Sequence, residues 1–173
     1  MCGIFAIILK NKNLYDKNSL LHSLNKLNKR GPDFQNYYEL ENNQYKYFFG
    51  HTRLSILDTS PSGHQPMFSN SKRYMIIFNG EIYNHLELRK IINDKVNLKW
   101  KSNSDTETLI NFIEYFDIDY VLEKISGMYS FVVYDFKENK LFTARDITGE
   151  KPLYITFNEN YIGISSDLHP FKN

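Results

Sequence analysis

One cysteine, one tryptophan, five prolines and eight glycines are spread over 173 residues, and several classes of protein fall away with those scarcities. A single cysteine rules out an intrachain disulfide and suits a reducing compartment, so a cytoplasmic location is expected. Five scattered histidines and that cysteine show neither HxxxH nor CxxC spacing, so no metal centre is expected. No apolar run approaches the ~20 residues needed to cross a bilayer. The start of the chain has no basic segment and no small-residue cleavage site, and does not read as a signal peptide. A net charge of +1 creates no pull toward nucleic acid or an anionic membrane. No Gly-rich phosphate loop, internal repeat or low-complexity linker is visible, so residues 1–173 read as one domain.

What is present is enough for a packed core. Hydrophobic residues make up 42% and charged residues 24%, the balance of an ordinary globular chain. "CGIFAIIL" is an uninterrupted apolar run and predicts a strand buried on both faces. "NSLLHSLNKLNKR" sets Leu20, Leu21, Leu24 and Leu27 at helical spacing, capped by Asn18 or Ser19, and "RGPD" stops it. "NYYELENNQYKYFFGHTRLSIL" predicts a hairpin turning at Glu41-Asn42-Asn43. "DTSPSGHQPMFSNSK" is a loop long enough to be functional. "RYMIIFNG" predicts a buried strand ending at Gly80, and "YNHLELRKIIND" a helix carrying Leu86, Leu88, Ile91 and Ile92. "SDTETLINFIEYF" opens with a capping box, Ser104 and Glu107, ahead of a stripe of Leu109, Ile110, Phe112, Ile113 and Phe116. Four more strands follow in "MYSFVVYDF", "KLFTAR", "PLYITFN" and "YIGISS", with turns at Glu138-Asn139 and Asn158-Glu159-Asn160. Strands at both ends and helices in the middle predict an α+β fold.

Cys2 raises the sharpest chemical question. Methionine aminopeptidases remove Met1 when a small residue follows, which would leave Cys2 with a thiol and a free α-amine. The two groups have ordinary pKa values of ~8.5 and ~7.7–8.0, so one residue would hold a nucleophile and a base poised near neutrality. The competing reading is a small buried hydrophobe, the common fate of free cysteine.

The company of Cys2 decides between them. "MCGIFAI", "RGPD", "GHTRLSILD", "GHQPM", "NGEIYNH", "SDTETL", "GMYSFVVYD", "ARDITGEKPLY" and "SSDLHPF" occur in order and at matching spacing from Cys2 to about Phe171. Together they resemble the N-terminal glutaminase domain of glutamine-hydrolysing asparagine synthetases of the B type, which are class II (N-terminal nucleophile) glutamine amidotransferases. "NGEIYNH" points to that branch rather than to the glucosamine-phosphate synthase or phosphoribosyl-pyrophosphate amidotransferase branches.

The resemblance implies a four-layer α/β/β/α sandwich of two antiparallel sheets, with L-glutamine as substrate. It implies Cys2 as nucleophile, with the Asn79 side-chain amide and the Gly80 N–H as oxyanion hole, although Asn-Gly is by itself a strong turn signal. It implies Arg53 on the substrate α-carboxylate, and Glu81 and Asp105 on the α-ammonium. From the residues alone, Arg53 also reads as a surface ion pair and Asp105 as a helix-start carboxylate. Arg30 and Asp33 of "RGPD" are expected to pair beside the site, His51 and His64 to be structural, and the "SPSGHQPM" loop to move as a lid. Glu150 departs from the family pattern, which carries an apolar or small residue there, and Thr52 stands where a basic or other polar residue is frequent.

The implied reaction is hydrolysis of glutamine to glutamate and ammonia through a Cys2 γ-glutamyl thioester. In the family, a second ATP- and magnesium-dependent synthetase domain, an ATP pyrophosphatase, uses the ammonia to make asparagine. The motifs of that domain are missing from these 173 residues, so no cofactor is expected here and a separate synthetase-type subunit is an expected partner. A Met1 that stayed attached would lock the amine in a peptide bond and abolish activity. The missing synthetase half motivates a rival reading, a catalytically degenerate module that binds glutamine or a synthetase partner without turnover.

Overall fold

A computed structural model describes residues 1–172. Its elements in chain order are β1 (Gly3–Leu9), α1 (Lys17–Asn25), β2 (Phe34–Glu41), β3 (Lys46–Arg53), β4 (Met67–Phe68), β5 (Tyr74–Ile82), α2 (His85–Lys95), α3 (Asp105–Tyr115), α4 (Ile118–Lys124), β6 (Gly127–Asp135), β7 (Lys140–Arg145), β8 (Tyr154–Phe157) and β9 (Tyr161–Ser165). Short 3₁₀ turns occupy Pro61–Gly63 and His169–Phe171.

Two antiparallel sheets form, one ordered β2-β3-β1-β9-β8 and the other β4-β5-β6-β7. Three apolar cores fix their stacking. Phe5, Ile7, Leu9 and Phe48 pack beneath Leu20, Leu24 and Leu27 of the α1 segment. Ile4, Ala6, Ile8, Tyr47 and Phe49 of the first sheet meet Met75, Ile77, Val132 and Tyr134 of the second. Ile76, Phe78, Phe131 and Val133 face Leu88, Ile92, Leu109, Phe112 and Val121 of α2, α3 and α4. Helix, sheet, sheet and helices therefore make the expected α/β/β/α sandwich, an α+β fold. β1 explains its own composition. It is the central strand of its sheet, covered by α1 on one face and by the other sheet on the second, so all seven residues are buried.

Several local expectations need correction. The cap of α1 is Asp16, whose carboxylate accepts the Ser19 N–H at 2.8 Å, rather than Asn18 or Ser19. Ser104 caps α3 by accepting the Thr106 N–H at 3.1 Å, but the box with Glu107 does not close. The Glu107 carboxylate instead accepts the N–H groups of Lys101 and Ser102 and the Ser102 hydroxyl at 2.7–2.9 Å, tying down the loop before the helix. Leu86 of the α2 stripe points outward and is 62% exposed, while Leu88 and Ile92 carry the packing. α4 and the two-residue β4 carry periodic patterns too short to read from the sequence. Asn79 and Gly80 form no turn: β5 continues through them to Ile82, opposite Ser130 and Tyr129 of β6.

Among the described residues, no helix is long and apolar enough to cross a membrane.

Candidate active site

Strand alternation builds the site. Side chains that face the opposite sheet run Tyr47, Phe49, His51, Arg53 along β3 and Met75, Ile77, Asn79, Glu81 along β5. On β6 they run Tyr134, Val132, Ser130, Met128, and on β1 Ile8, Ala6, Ile4 and then Cys2 just before the strand. The β3 and β5 rows are apolar deep in the sandwich and turn polar at one end. There the two sheets part around a cleft of about 640 Å³, its open mouth included. Cys2, Arg53, Asn79, Gly80, Glu81 and Asp105 all line it, so the six residues expected to act together meet in one place.

Cys2 is held from both sides. Its Sγ accepts the Leu54 N–H at 3.4 Å, and its carbonyl accepts Arg30 Nε at 3.1 Å. Burial pushes the thiol above its ordinary pKa; the Leu54 N–H, the nearby amino terminus and Arg53 oppose that push. A thiol kept protonated needs a base to become a nucleophile. The expected Arg30–Asp33 pair does not form. Arg30 is spent on Cys2, and Asp33 accepts the Ser55 N–H at 2.7 Å.

The β5 edge beside Cys2 is the most informative stretch. β4 pairs with β5 only at Met75 and Ile76, so the same edge has no strand neighbour further on. Antiparallel alternation turns the backbone of Phe78, Gly80 and Ile82 toward that edge. The Phe78 N–H donates to Gln65 Oε1 at 2.6 Å and the Ile82 N–H to Asp105 Oδ2 at 2.9 Å. The Gly80 N–H lies between them, facing the cleft. Asn79 is 1% exposed, yet its Nδ2 has no hydrogen-bond partner. Leaving a buried amide donor unpaired costs ~1–3 kcal/mol, and this donor belongs to a residue that lines the cleft. A Cβ on Gly80 would collide with the Met128 carbonyl oxygen and come within 2.7 Å of the Tyr129 Cα, so only glycine fits between the strands.

Arg53 is 6% exposed, and its guanidinium donates to the carbonyls of Asp58 and Ser60, at 2.8 Å for Ser60. It is not a surface ion pair. Two of its five N–H groups anchor the loop and the rest remain available to a ligand. Gly63 of that loop sits against the guanidinium, where a Cβ would overlap it. Asp105, the first residue of α3, is buried enough to lift its carboxyl to about 6, with Glu81 adding to the rise against the hydrogen bonds from Ile82 and Thr106. Arg53, Glu81 and Asp105 thus share the cleft, with Lys151 and Asp58 also in its lining. They form an amphoteric site matched to a zwitterion.

Neither histidine is placed as an acid or base. His51 is fully buried, and desolvation drives it down to about 3. His64 stacks on Phe34 with ring centroids 3.5 Å apart.

Gln65 and Lys151 are among the lining residues that sequence reasoning passed over. Gln65 was hidden in the loop, although it bridges β5 to α3 through Phe78 and Thr106. Lys151 follows Glu150 in "TGEKPLY", where a lysine reads as solvated. It is 8% exposed because Asp146 gathers the N–H groups of Tyr129, Glu150 and Lys151 and folds that turn against the cleft. Among the described residues no group of three or more His, Cys, Asp or Glu side chains is arranged to hold a metal ion.

The chain matches known proteins along nearly its whole length. A family model described as a glutamine amidotransferase domain matches residues 1–173. The chain is 38% identical over 170 residues to a probable glutamine-hydrolysing asparagine synthetase of Acanthamoeba polyphaga mimivirus, covering 97% of this chain and 30% of that protein. It is 35% identical over 170 residues to asparagine synthetase 1 of Arabidopsis thaliana, covering 97% of this chain and 28% of the relative. The chain therefore spans about a third of the length of these relatives. In fold it is similar to glutamine phosphoribosylpyrophosphate amidotransferase from B. subtilis. The TM-score is 0.75 at 21% identity, covering 98% of this chain and 43% of that one.

Proposed function

We propose, from the premise that the chain belongs to the class II glutamine amidotransferase family and is an enzyme of that class, that it hydrolyses L-glutamine to glutamate and ammonia with Cys2 as nucleophile. In this reading Arg53 takes the α-carboxylate of glutamine with its uncommitted N–H groups, and Glu81 and Asp105 take the α-ammonium. The side chain then extends toward Cys2 and the β5 edge.

Once Met1 is removed, the Cys2 α-amine accepts the thiol proton and the sulfur attacks the carboxamide carbon. The carbonyl electron pair moves onto oxygen, where Asn79 Nδ2 and the Gly80 N–H stabilise it. Collapse of that intermediate expels ammonia, which takes its proton from the α-ammonium, and leaves a γ-glutamyl thioester. Water, deprotonated by the same amine, releases glutamate and regenerates the thiol.

The unpaired, buried Asn79 amide beside Cys2 is the observation that carries this reading. A module that only bound glutamine could use the same donor on the carboxamide oxygen, and it is the neighbouring Cys2 thiol that favours turnover. We assign the ammonia to asparagine synthesis on an ATP- and magnesium-dependent synthetase-type partner, in keeping with the named activity of the mimivirus and Arabidopsis relatives.

The test is glutamate release from glutamine by protein whose intact mass shows Met1 removed. Turnover is expected, with its loss in Cys2→Ala and in protein that retains Met1. Equal turnover in the alanine variant would overturn the mechanism.

A further inference from the structure

The β5 edge beside Asn79 and Gly80 has no neighbouring strand, yet it is not slack. Both backbone polar groups of Phe78 are taken up by buried side chains from different parts of the chain. Gln65 Oε1 accepts the N–H at 2.6 Å, and His51 Nε2 lies 3.1 Å from the carbonyl oxygen. A carbonyl can only accept, so Nε2 carries the proton in that contact. With the ring held neutral by burial, Nδ1 is left as a bare acceptor, and it is buried without a partner. The fold keeps a histidine here at the cost of one unsatisfied ring nitrogen. An apolar residue at the same inward-facing position would avoid that cost but could not hold the Phe78 carbonyl.

We propose that His51 is a positioning residue for the oxyanion hole, acting through the Phe78 carbonyl. The carbonyl of Phe78 and the nitrogen of Asn79 belong to one rigid peptide plane. Fixing that oxygen orients the plane from which Asn79 starts, and through it the next N–H on the same edge, that of Gly80. His51 comes from β3 in the facing sheet, the strand that also carries Arg53 two residues later. One strand thus sets the substrate's carboxylate clamp and the alignment of the donors that meet its reacting carbonyl. Gln65 holds the N–H of the same residue on the same edge. Donors of this kind work only within ~2.7–3.1 Å of the developing charge, so a small tilt of the edge is felt in rate before it is felt in binding.

This inference rests on the glutaminase reading, and the test separates the two. Met1-free wild type, His51→Leu and His51→Gln are compared for kcat and KM with glutamine, and for melting temperature. They are also compared for affinity toward two ligands. One is the γ-aldehyde analogue of glutamine, whose carbonyl carbon bonds the Cys2 sulfur while its oxygen becomes an oxyanion, with no group leaving. The other is glutamate, which forms no oxyanion. His51→Leu is expected to lower kcat by about 10- to 100-fold, the cost of an ~1 Å misplacement. KM and glutamate affinity should stay near wild type, aldehyde affinity should fall by a similar factor to kcat, and His51→Gln, whose amide can donate to the same carbonyl, should recover part of the loss. A folded His51→Leu with wild-type kcat would overturn the proposal, as would equal losses in glutamate affinity and in kcat. If His51→Leu does not fold, Gln65→Met, which frees the N–H of Phe78, carries the same expectation. An inactive Met1-free wild type would instead overturn the glutaminase reading on which this one stands.

Discussion

Asp105 Oδ2 accepts the backbone N–H of Ile82 at 2.9 Å, joining the first residue of α3 to the β5 edge two residues beyond Gly80. The carboxylate expected to hold the substrate's ammonium is therefore part of the frame that carries the proposed oxyanion donors. In the proposed mechanism, binding and chemistry share that hydrogen bond.

Asp105 makes the first prediction one of pH. Its carboxyl is raised from an ordinary 3.8 to about 6, chiefly by burial. A raised carboxylate destabilises the empty fold above pH 6, where it is charged, and that penalty fades as pH falls from about 6 to the ordinary 3.8. Attraction for an ammonium has the opposite trend, being present above about 6 and lost below it. The KM for glutamine should therefore rise about tenfold between pH 7 and pH 5 as the ionised fraction falls. Asp105→Asn should start with a high KM and show little of that dependence.

Asn79→Ala should separate function from stability. The substitution removes a donor from the proposed hole and is expected to lower kcat by ~10²–10³. It also removes a buried amide nitrogen that has no partner, so the empty protein should melt no lower than wild type and gain up to ~1 kcal/mol. Glutamine turnover and thermal denaturation of the same preparations check both halves.

Two glycines lining the cleft should fail in different ways. Gly80→Ala drives a methyl group into the β6 backbone at Met128 and Tyr129, which cannot step aside. It should cost ~1–3 kcal/mol of stability and displace the Gly80 N–H, lowering kcat. Gly63→Ala meets the Arg53 guanidinium, a side chain that can shift once its carbonyl contacts loosen. It should raise KM for glutamine while leaving kcat within a small factor.

Away from the cleft, Asp135 tests the electrostatic account independently. Arg73 grips it through Nε at 3.1 and 3.2 Å and through a terminal nitrogen at 2.7 Å. Burial alone would raise its carboxyl, but the guanidinium and the N–H groups of Glu138 and Lys137 outweigh burial and bring it down to about 2. A depressed carboxylate stabilises the fold above its ordinary pKa of 3.8, and that contribution fades as pH falls from 3.8 toward 2. Asp135→Asn should cost ~1.5–3 kcal/mol at pH 7, the worth of a hydrogen bond to a charged group, with the deficit shrinking below pH 4 in denaturant titrations.

The sequence was most legible where one local pattern had one physical meaning. The unbroken apolar run of β1 required cover on both faces, and it has it. The hairpin turn at Asn42 was equally readable, because its side chain caps Gln44 and Tyr45 as a turn asparagine does. Legibility failed where one local pattern allowed more than one set of partners. Nothing near Glu107 announced that its carboxylate serves Lys101 and Ser102 rather than the start of its own helix. Leu86 satisfied helical spacing yet faces outward, since periodicity names a stripe without saying how wide its cover is.

By itself, the order of residues settled the class of fold, the family and the residue types available for chemistry, because alternation and short motifs are properties of neighbours along the chain. Whether Asn-Gly is a turn or a length of strand was decided by β6, which lies some fifty residues away and pairs with both. The choice between a solvated and a buried Arg53 was made by the Asp58–Ser60 carbonyls folding over it. A side chain's role here depends on which polar groups its surroundings leave unpaired, and that count exists only once the two sheets have closed on each other.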